Sequence, residues 1–443
     1  MHILRTKHGL LAQVLGAALL LPAPGASALG LMQAYEAAIK NDPAYRAARH
    51  MAEAGRENKV LGRSGLLPSV SASYSGSRNH SDITNAGGTR PEEYNSKSAV
   101  LQVRQPIVNF DALARYKQGV LQAEAAENGL AGETRQVALR VIGAYIEALF
   151  KQDQLAAAKS ERDMYVERMK VNDRLFAKGE GTKTDMLETR ARLDVAEAAV
   201  LEAQDALAAA RVTLEGVIGG PAGELDALAP QFNRRPAEAQ SFDEWLKMAL
   251  ENNAEIKGRR LNVDIGQQEV NKQRAGHYPR LDAIASLSNS KSESINTIHT
   301  EYKTRSVGFQ LSVPLYAGGA VNASTRQAVA NRERAKADLQ AETDKQTLEL
   351  RRDYDQLVSS AARIAALEKA VESGKLLVTA TEQSIKGGVR INLDLLDARR
   401  QLTITERDLA QARYTYILAY VKLRAAAGIL APDDVRTMAT YFR

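Results

Sequence analysis

No cysteine occurs anywhere in the 443 residues. That excludes disulfides, thiolate metal sites, cysteine catalysis and a lipidated N-terminal cysteine. Aromatic residues make up only 5% of the chain, with a single tryptophan, which is thin for a conventional globular core. Neither sign of charge dominates. The 59 Lys+Arg stand against 53 Asp+Glu, a net +6, a surplus too small over this length to point to a polybasic nucleic-acid-binding face, so nucleic acid is a poor default partner. No G-x-x-x-x-G-K-[ST] phosphate loop is present, so the chain has no nucleotide motor of its own. The six histidines have no ligand spacing: His2 and His8 lie near the N-terminus, and His50, His80, His277 and His299 are scattered. The expectation is a chain with no catalytic constellation, no cofactor and no dedicated metal site. Beyond its first residues, no run is apolar enough for a membrane helix.

What is present begins with an export signal. Arg5 and Lys7 precede an apolar stretch over 9–21, and Ala26-Ser27-Ala28 forms an A-x-A cleavage site. That apolar core is shorter than the about 20 residues of a membrane span. Residues 1–28 are expected to be removed on export, leaving a mature charge of +6 − 2 = +4. The mature chain is then either soluble outside the cytoplasm or inserted in a membrane as strands.

The mature chain is written twice. Sliding the sequence by 211 positions aligns 31–72 with 242–283 without a gap, and eight of the 42 pairs are identical, Asn41/Asn252, Arg63/Arg274, Gly65/Gly276 and Pro68/Pro279 among them. Chance would give about two or three. Pro106 and Pro314 each close a strand-like run, and Thr184-Asp185-Met186-Leu187 corresponds to Leu393-Asp394-Leu395-Leu396. Pro221, Pro230 and Pro236 cluster at the join. The expected organisation is a first repeat over 29–228 and a second over 229–443.

Within each repeat the hydrophobic period changes in the same order. A helix over 31–63, or 242–274, stops before Pro68 or Pro279, because the residue preceding proline is pushed out of the helical region. Alternation of period two follows, predicting strands at about 69–79 and 96–106 in one half and about 280–290 and 303–314 in the other. Polar segments, 79–95 and 289–302, read as their hairpin loops. Such alternation suits a membrane barrel or equally a soluble hairpin layer on a helical body.

Proline-free helical stretches come next, at about 111–176 and 321–386, each spanning roughly 100 Å at about 1.5 Å per residue. They end at glycine-bearing turns around Gly179-Glu180-Gly181 and Gly387-Gly388. Returning helices at about 184–218 and 393–428 carry heptads, Met186/Leu193/Val200/Leu207/Leu214 and Leu395/Leu402/Leu409/Tyr416/Leu423. By themselves these heptads define no more than an antiparallel coiled coil. Four strands cannot close a membrane barrel, which starts at about eight, and an open edge is not tolerated in lipid. Three chains would supply 3 × 4 = 12 strands, with the long helices continuing the symmetry as a tube.

The order signal, helix, hairpin, very long helix and heptad helix, all duplicated, resembles the TolC family of outer-membrane export channels. The most specific stretch runs from Gly388 through Arg390, Asp394 and Asp397 to Ala398, similar to the family's G-x-R-x-x-x-D-x-L-D-A segment. The resemblance implies a mixed α/β membrane protein. Its homotrimer would form a 12-stranded barrel in the outer membrane's lipid, continued by a periplasmic α-helical barrel. It also implies a periplasmic membrane-fusion adaptor and an inner-membrane transporter of the ABC or RND type as partners, and passive conduction of proteins or small toxic compounds. Asp394 and Asp397 stand at the family's pore-constricting aspartates, so three chains would ring a narrow axis with six carboxylates. Such a ring favours cations, binds divalent ions and responds to pH. Acidic residues also suit the first turn of any helix. Arg390 matches the arginine of a gate-closing link, with Thr184 and Asp185 as its partners. The tyrosine of a second link falls near Ile385, which cannot hydrogen-bond through its side chain. Gly179, Gly181, Gly387 and Gly388 correspond to the tips where adaptor helices dock, although a glycine there can serve solely as a helix C-cap. The competing function is a non-channel periplasmic coiled-coil scaffold or adaptor protein with soluble hairpins.

Overall fold

The structure is a computed structural model that describes residues 28–229, 232, 241–387 and 389–442. The export signal, apart from Ala28, lies outside the described residues, as do Pro230, Pro236 and Gly388. The first half contains α1 (Leu31–Asn41), α2 (Pro43–Ser64), β1 (Ser69–Asn85), β2 (Gly88–Val108), α3 (Phe110–Ala177) and α4 (Lys183–Ile218). The second repeats that order with α5 (Phe242–Asn252), α6 (Ala254–Arg274), β3 (Arg280–Lys291), β4 (Glu301–Ser312), α7 (Ala320–Lys386) and α8 (Asn392–Ala426), and α9 (Pro432–Ala439) ends it.

The opening helix of each half, read above as continuous, is broken in two. Asp42 takes a non-helical ψ of 120°, and its carboxylate accepts the Tyr45 N–H at 2.9 Å, capping α2. Pro43 follows at the first helical position, where its missing N–H costs nothing. At the repeat-equivalent position, Asn253 accepts from the Glu255 and Ile256 N–H groups and caps α6. The duplication therefore reaches down to the individual capping residue.

The four strands form one antiparallel sheet in the order β1-β2-β3-β4, with β1 and β4 at its edges. Register decides its two faces, because directly paired residues point the same way. Val70 pairs with Val103, Val103 with Ala285, and Ala285 with Val307, which stacks apolar side chains on one face. Ser71, Gln102, Ser286 and Ser306 are likewise in line on the other. The first hairpin is longer than expected. The segment read as a polar loop over 79–95 is strand almost to its tip at Asn85 and Gly88. Its polar residues bond across the strands, as in Ser77–Ser96 at 2.6 Å, Arg78–Glu93 at 2.9 Å and Thr84–Thr89 at 2.8 Å. β2 also runs past Pro106 to Val108, accommodating the proline at an irregularity in its pairing with β3.

α3 and α7, of 68 and 67 residues, are each about 100 Å long. α4 folds back on α3 and α8 on α7, and the halves meet where α3 contacts α6 and α8. Towards the sheet, α2 lies against α3. A Cβ added at Gly119 would stand 2.2 Å from the Asn58 carbonyl oxygen, so only glycine permits that approach. The main core is a belt where α1, α5 and α9 wrap the long helices, built on Leu31, Ile142, Tyr145, Leu214, Trp245, Leu350 and Leu423, all essentially inaccessible. Each such aliphatic side chain contributes about 1.5–3 kcal/mol by leaving water. The heptads are buried most fully near this belt, at Leu214, Leu409, Tyr416 and Leu423. Farther away, Met186, Leu193, Leu395 and Leu402 are half-buried.

Candidate functional site at the helical tips

At the first tip, Gly179 turns the chain with φ +76°, and the Glu180 and Gly181 N–H groups both return to the Leu175 carbonyl. α4 then begins with a capping box. The Thr182 hydroxyl oxygen accepts the Asp185 N–H at 3.1 Å, while Asp185 Oδ2 accepts the Thr182 N–H at 3.3 Å and its O–H at 2.6 Å. Asp185 is thus engaged locally, and Thr184 beside it is exposed. The spacing Thr182-x-x-Asp185 carries this role in the sequence itself.

At the second tip, the Gly387 N–H donates to the Gln383 carbonyl at 3.0 Å, and the Val389 and Arg390 N–H groups reach the Ser384 carbonyl. Arg390 is exposed, and its side chain makes no hydrogen bond or ion pair among the described residues. Within the chain, then, Arg390 and the Thr184/Asp185 pair are not joined. Asp394 sits half-buried in the first turn of α8, where a carboxylate offsets the helix dipole. Asp397 lies one turn on, with 60% of its side chain exposed.

Sequence reading missed the partner of Asp397. Arg168, from α3 in the other half, brings Nη1 to 3.8 Å from Asp397 Oδ1, with its own side chain only 18% exposed. Two further links climb the same α3–α8 seam. Arg400 Nε donates to Glu161 Oε1 at 2.9 Å, and the Tyr414 hydroxyl donates to Asp153 Oδ2 at 2.8 Å. Burial pushes the Asp153 carboxyl above the usual range, although the Tyr414 O–H pulls the other way. Burial, reinforced by the charge of Asp153, also raises the Tyr414 phenol. Between α3, α4 and α8 lies a cavity of about 640 Å³, lined by Ala199, Ala203 and Ala206 of α4 and by Glu161 and Arg400 of the seam. Among the described residues no three metal-ligating side chains come together.

The flanks of the chain are apolar where nothing of the same chain covers them. Leu187, Val195 and Leu201 on α4 are 61–70% exposed, and Leu348 and Leu376 on α7 are 71% and 66% exposed. These two helices bound the array α4-α3-α8-α7, just as β1 and β4 bound the sheet. Two different edges that meet between copies make a head-to-tail interface, which generates a ring where the rotation between copies closes. A two-faced sheet set on helical hairpins of this length is the wall segment of a channel crossing a membrane and the space beside it.

Comparison with known proteins agrees. The chain belongs to the outer membrane efflux protein family, which it matches over residues 34–220 and 245–429. It is 40% identical to the alkaline protease secretion protein AprF of Pseudomonas aeruginosa, covering 99% of this chain and 92% of that one. It is 37% identical to the proteases secretion protein PrtF of Dickeya chrysanthemi, covering 94% and 92%. Its fold is that of the outer membrane protein VceC from Vibrio cholerae, with a TM-score of 0.76 at 16% identity over 90% of this chain and 96% of that one. The TolC resemblance is therefore family membership. The protein is an outer-membrane export duct with a large periplasmic helical portion and not an enzyme. Three chains of four strands build the family's 12-stranded barrel, and such channels work with adaptors and inner-membrane transporters.

Proposed function

We propose that this duct is the exit of a type I protein secretion system and that its cargo is a secreted protease. The likeness to two protease secretion proteins, one at 40% identity over 99% of the chain, carries this reading. The transporter is then of the ABC type, which supplies the energy that this chain has no means to generate. Asp394 and Asp397 form the constriction at the periplasmic end, with Arg168 as their counter-charge. Arg390 is exposed and uncommitted, which suits a link to Thr184 or Asp185 of the neighbouring chain in the closed state. The tips at Gly179, Gly181, Gly387 and Gly388 receive the adaptor.

Two measurements test this. In a strain lacking the duct, extracellular protease activity should fall while susceptibility to small toxic compounds stays unchanged; the reverse pattern would assign the duct to efflux. In planar bilayers the purified channel should show small, cation-selective openings that divalent ions block. An Asp394→Ala/Asp397→Ala variant should lose the block, and conductance unchanged by these substitutions would move the constriction elsewhere.

A further inference from the structure

The apolar face of the sheet carries a band of basic residues where its apolar stretch ends. On β4 and its extension the exposed residues Leu315, Val313, Leu311, Phe309 and Val307 alternate outward up to Arg305. The ten steps from Leu315 to Arg305 cover about 33 Å of strand, or about 25 Å of height at a tilt near 40°, the height of a barrel's lipid-facing band. At its lower end, Phe110 and Tyr278 pack edge-on with ring centroids 5.2 Å apart, in the place of an interfacial aromatic girdle. The helices lie on that side, so the hairpin tips mark the cell exterior.

Immediately above the band the same outward face presents Arg305, then Lys303, then Lys97 and Lys291. Lys97 and Lys291 are direct cross-strand partners, and Glu301 on β4 stands opposite Lys291 on its other side. Like charges directly opposed on a sheet repel, and an anion would relieve them. Of the four cations, Lys303 alone has an ion pair among the described residues, a 3.5 Å contact with Glu301. One level higher the pattern changes, since Arg78 is already paired with Glu93 at 2.9 Å. Four cations against one carboxylate, repeated on three chains, therefore sit at the height of the outer-leaflet headgroups.

We propose that Lys97, Lys291, Lys303 and Arg305 form a binding site for the phosphates of a phosphorylated glycolipid in the outer leaflet. Ammonium groups supply movable donors and the Arg305 guanidinium a fixed fork, and together they suit a phosphomonoester held at a sugar headgroup. The site rests on the barrel's orientation alone and is independent of the cargo.

The test uses the purified trimer in mild detergent, mixed with lipopolysaccharide or with its enzymatically dephosphorylated form, and counts bound lipid by native mass spectrometry. Wild type should retain the phosphorylated lipid and release the dephosphorylated one. A Lys97→Gln/Lys291→Gln/Lys303→Gln/Arg305→Gln variant should bind at least about tenfold more weakly. A charge-keeping variant, Lys97→Arg/Lys291→Arg/Lys303→Arg/Arg305→Lys, should bind as wild type does. Binding by the glutamine variant within about twofold of wild type would overturn the site. So would wild-type binding that survives dephosphorylation, or complete displacement by millimolar inorganic phosphate, which would indicate a free-phosphate site. If the glutamine variant does not form trimers, the dephosphorylation and charge-keeping arms decide by themselves.

Discussion

Replacing Tyr414 with phenylalanine isolates one bond of the seam between the two halves. Tyr414 is 3% exposed and donates to Asp153 at 2.8 Å. Its ring packs edge-on against Phe150 at 6.2 Å, so phenylalanine keeps the packing and removes only the hydroxyl. The variant leaves a largely buried carboxylate without the one donor that reaches it among the described residues. A lost hydrogen bond to a charged group costs about 1.5–3 kcal/mol per chain. In a chain this long that lowers a thermal midpoint by only about 2–3 °C. The pH dependence makes the test specific. Burial raises the folded-state Asp153 carboxyl, so its contribution is fully present below the ordinary carboxylate value near 4 and is lost as pH rises through the raised one. Tyr414 opposes that rise. Without the hydroxyl the carboxyl climbs further, so the deficit of Tyr414→Phe should be largest near pH 8 and shrink as pH falls toward the ordinary carboxylate value near 4. Adding Asp153→Asn should restore much of the loss, because an amide is cheaper to bury than a charge. Thermal melts followed by circular dichroism across that range read both effects. A deficit equal at pH 4 and pH 8, with no rescue by asparagine, would refute the reasoning.

Asp42→Ala should cost about 1–2 kcal/mol at neutral pH by uncapping α2. Burial works to raise the Asp42 carboxyl, but the Tyr45 N–H and Arg140 outweigh it and hold it below the usual range. Its contribution is therefore present above the ordinary carboxylate value and lost as pH falls through the depressed one, so melts of variant and wild type should converge in strong acid. Gly119→Ala must push α2 away from α3, at about 1–3 kcal/mol, visible as a lower melting point and fewer detergent-resistant trimers. Arg168→Gln removes three positive charges beside the proposed carboxylate ring and should tighten divalent block by about twofold in bilayers, the scale of a solvent-screened pair. An unchanged block would separate Arg168 from the conduction path.

The turns and helix starts of the proposed site were legible because their signals are local. The carboxylates Asp394 and Asp397 stand within one turn of a helix start, and the glycine turns at Gly179 and Gly387 announce the tips. Thr182-x-x-Asp185 declares its capping box within four residues, and that local bond is why Asp185 is engaged inside its own chain and not with Arg390. The break at Asp42 was also written in the sequence, as an N-cap residue followed by proline. The apolar period nevertheless continues across it, which reads as a single helix.

By itself the sequence determined the duplication, the order of helices and strands in each half, and the alternation that gives the sheet two unlike faces. Each of these depends on backbone preferences and side-chain periods that act over a few residues. Only the tertiary structure decided that Arg168 meets Asp397, that Tyr414 meets Asp153, and that Lys97 stands opposite Lys291. Two rods about 100 Å long can slide past each other by whole turns without changing either heptad pattern, and two strands can shift by two residues without exchanging faces. Those registers are set by the summed packing of the belt, the tips and the turns, which no single stretch of sequence contains.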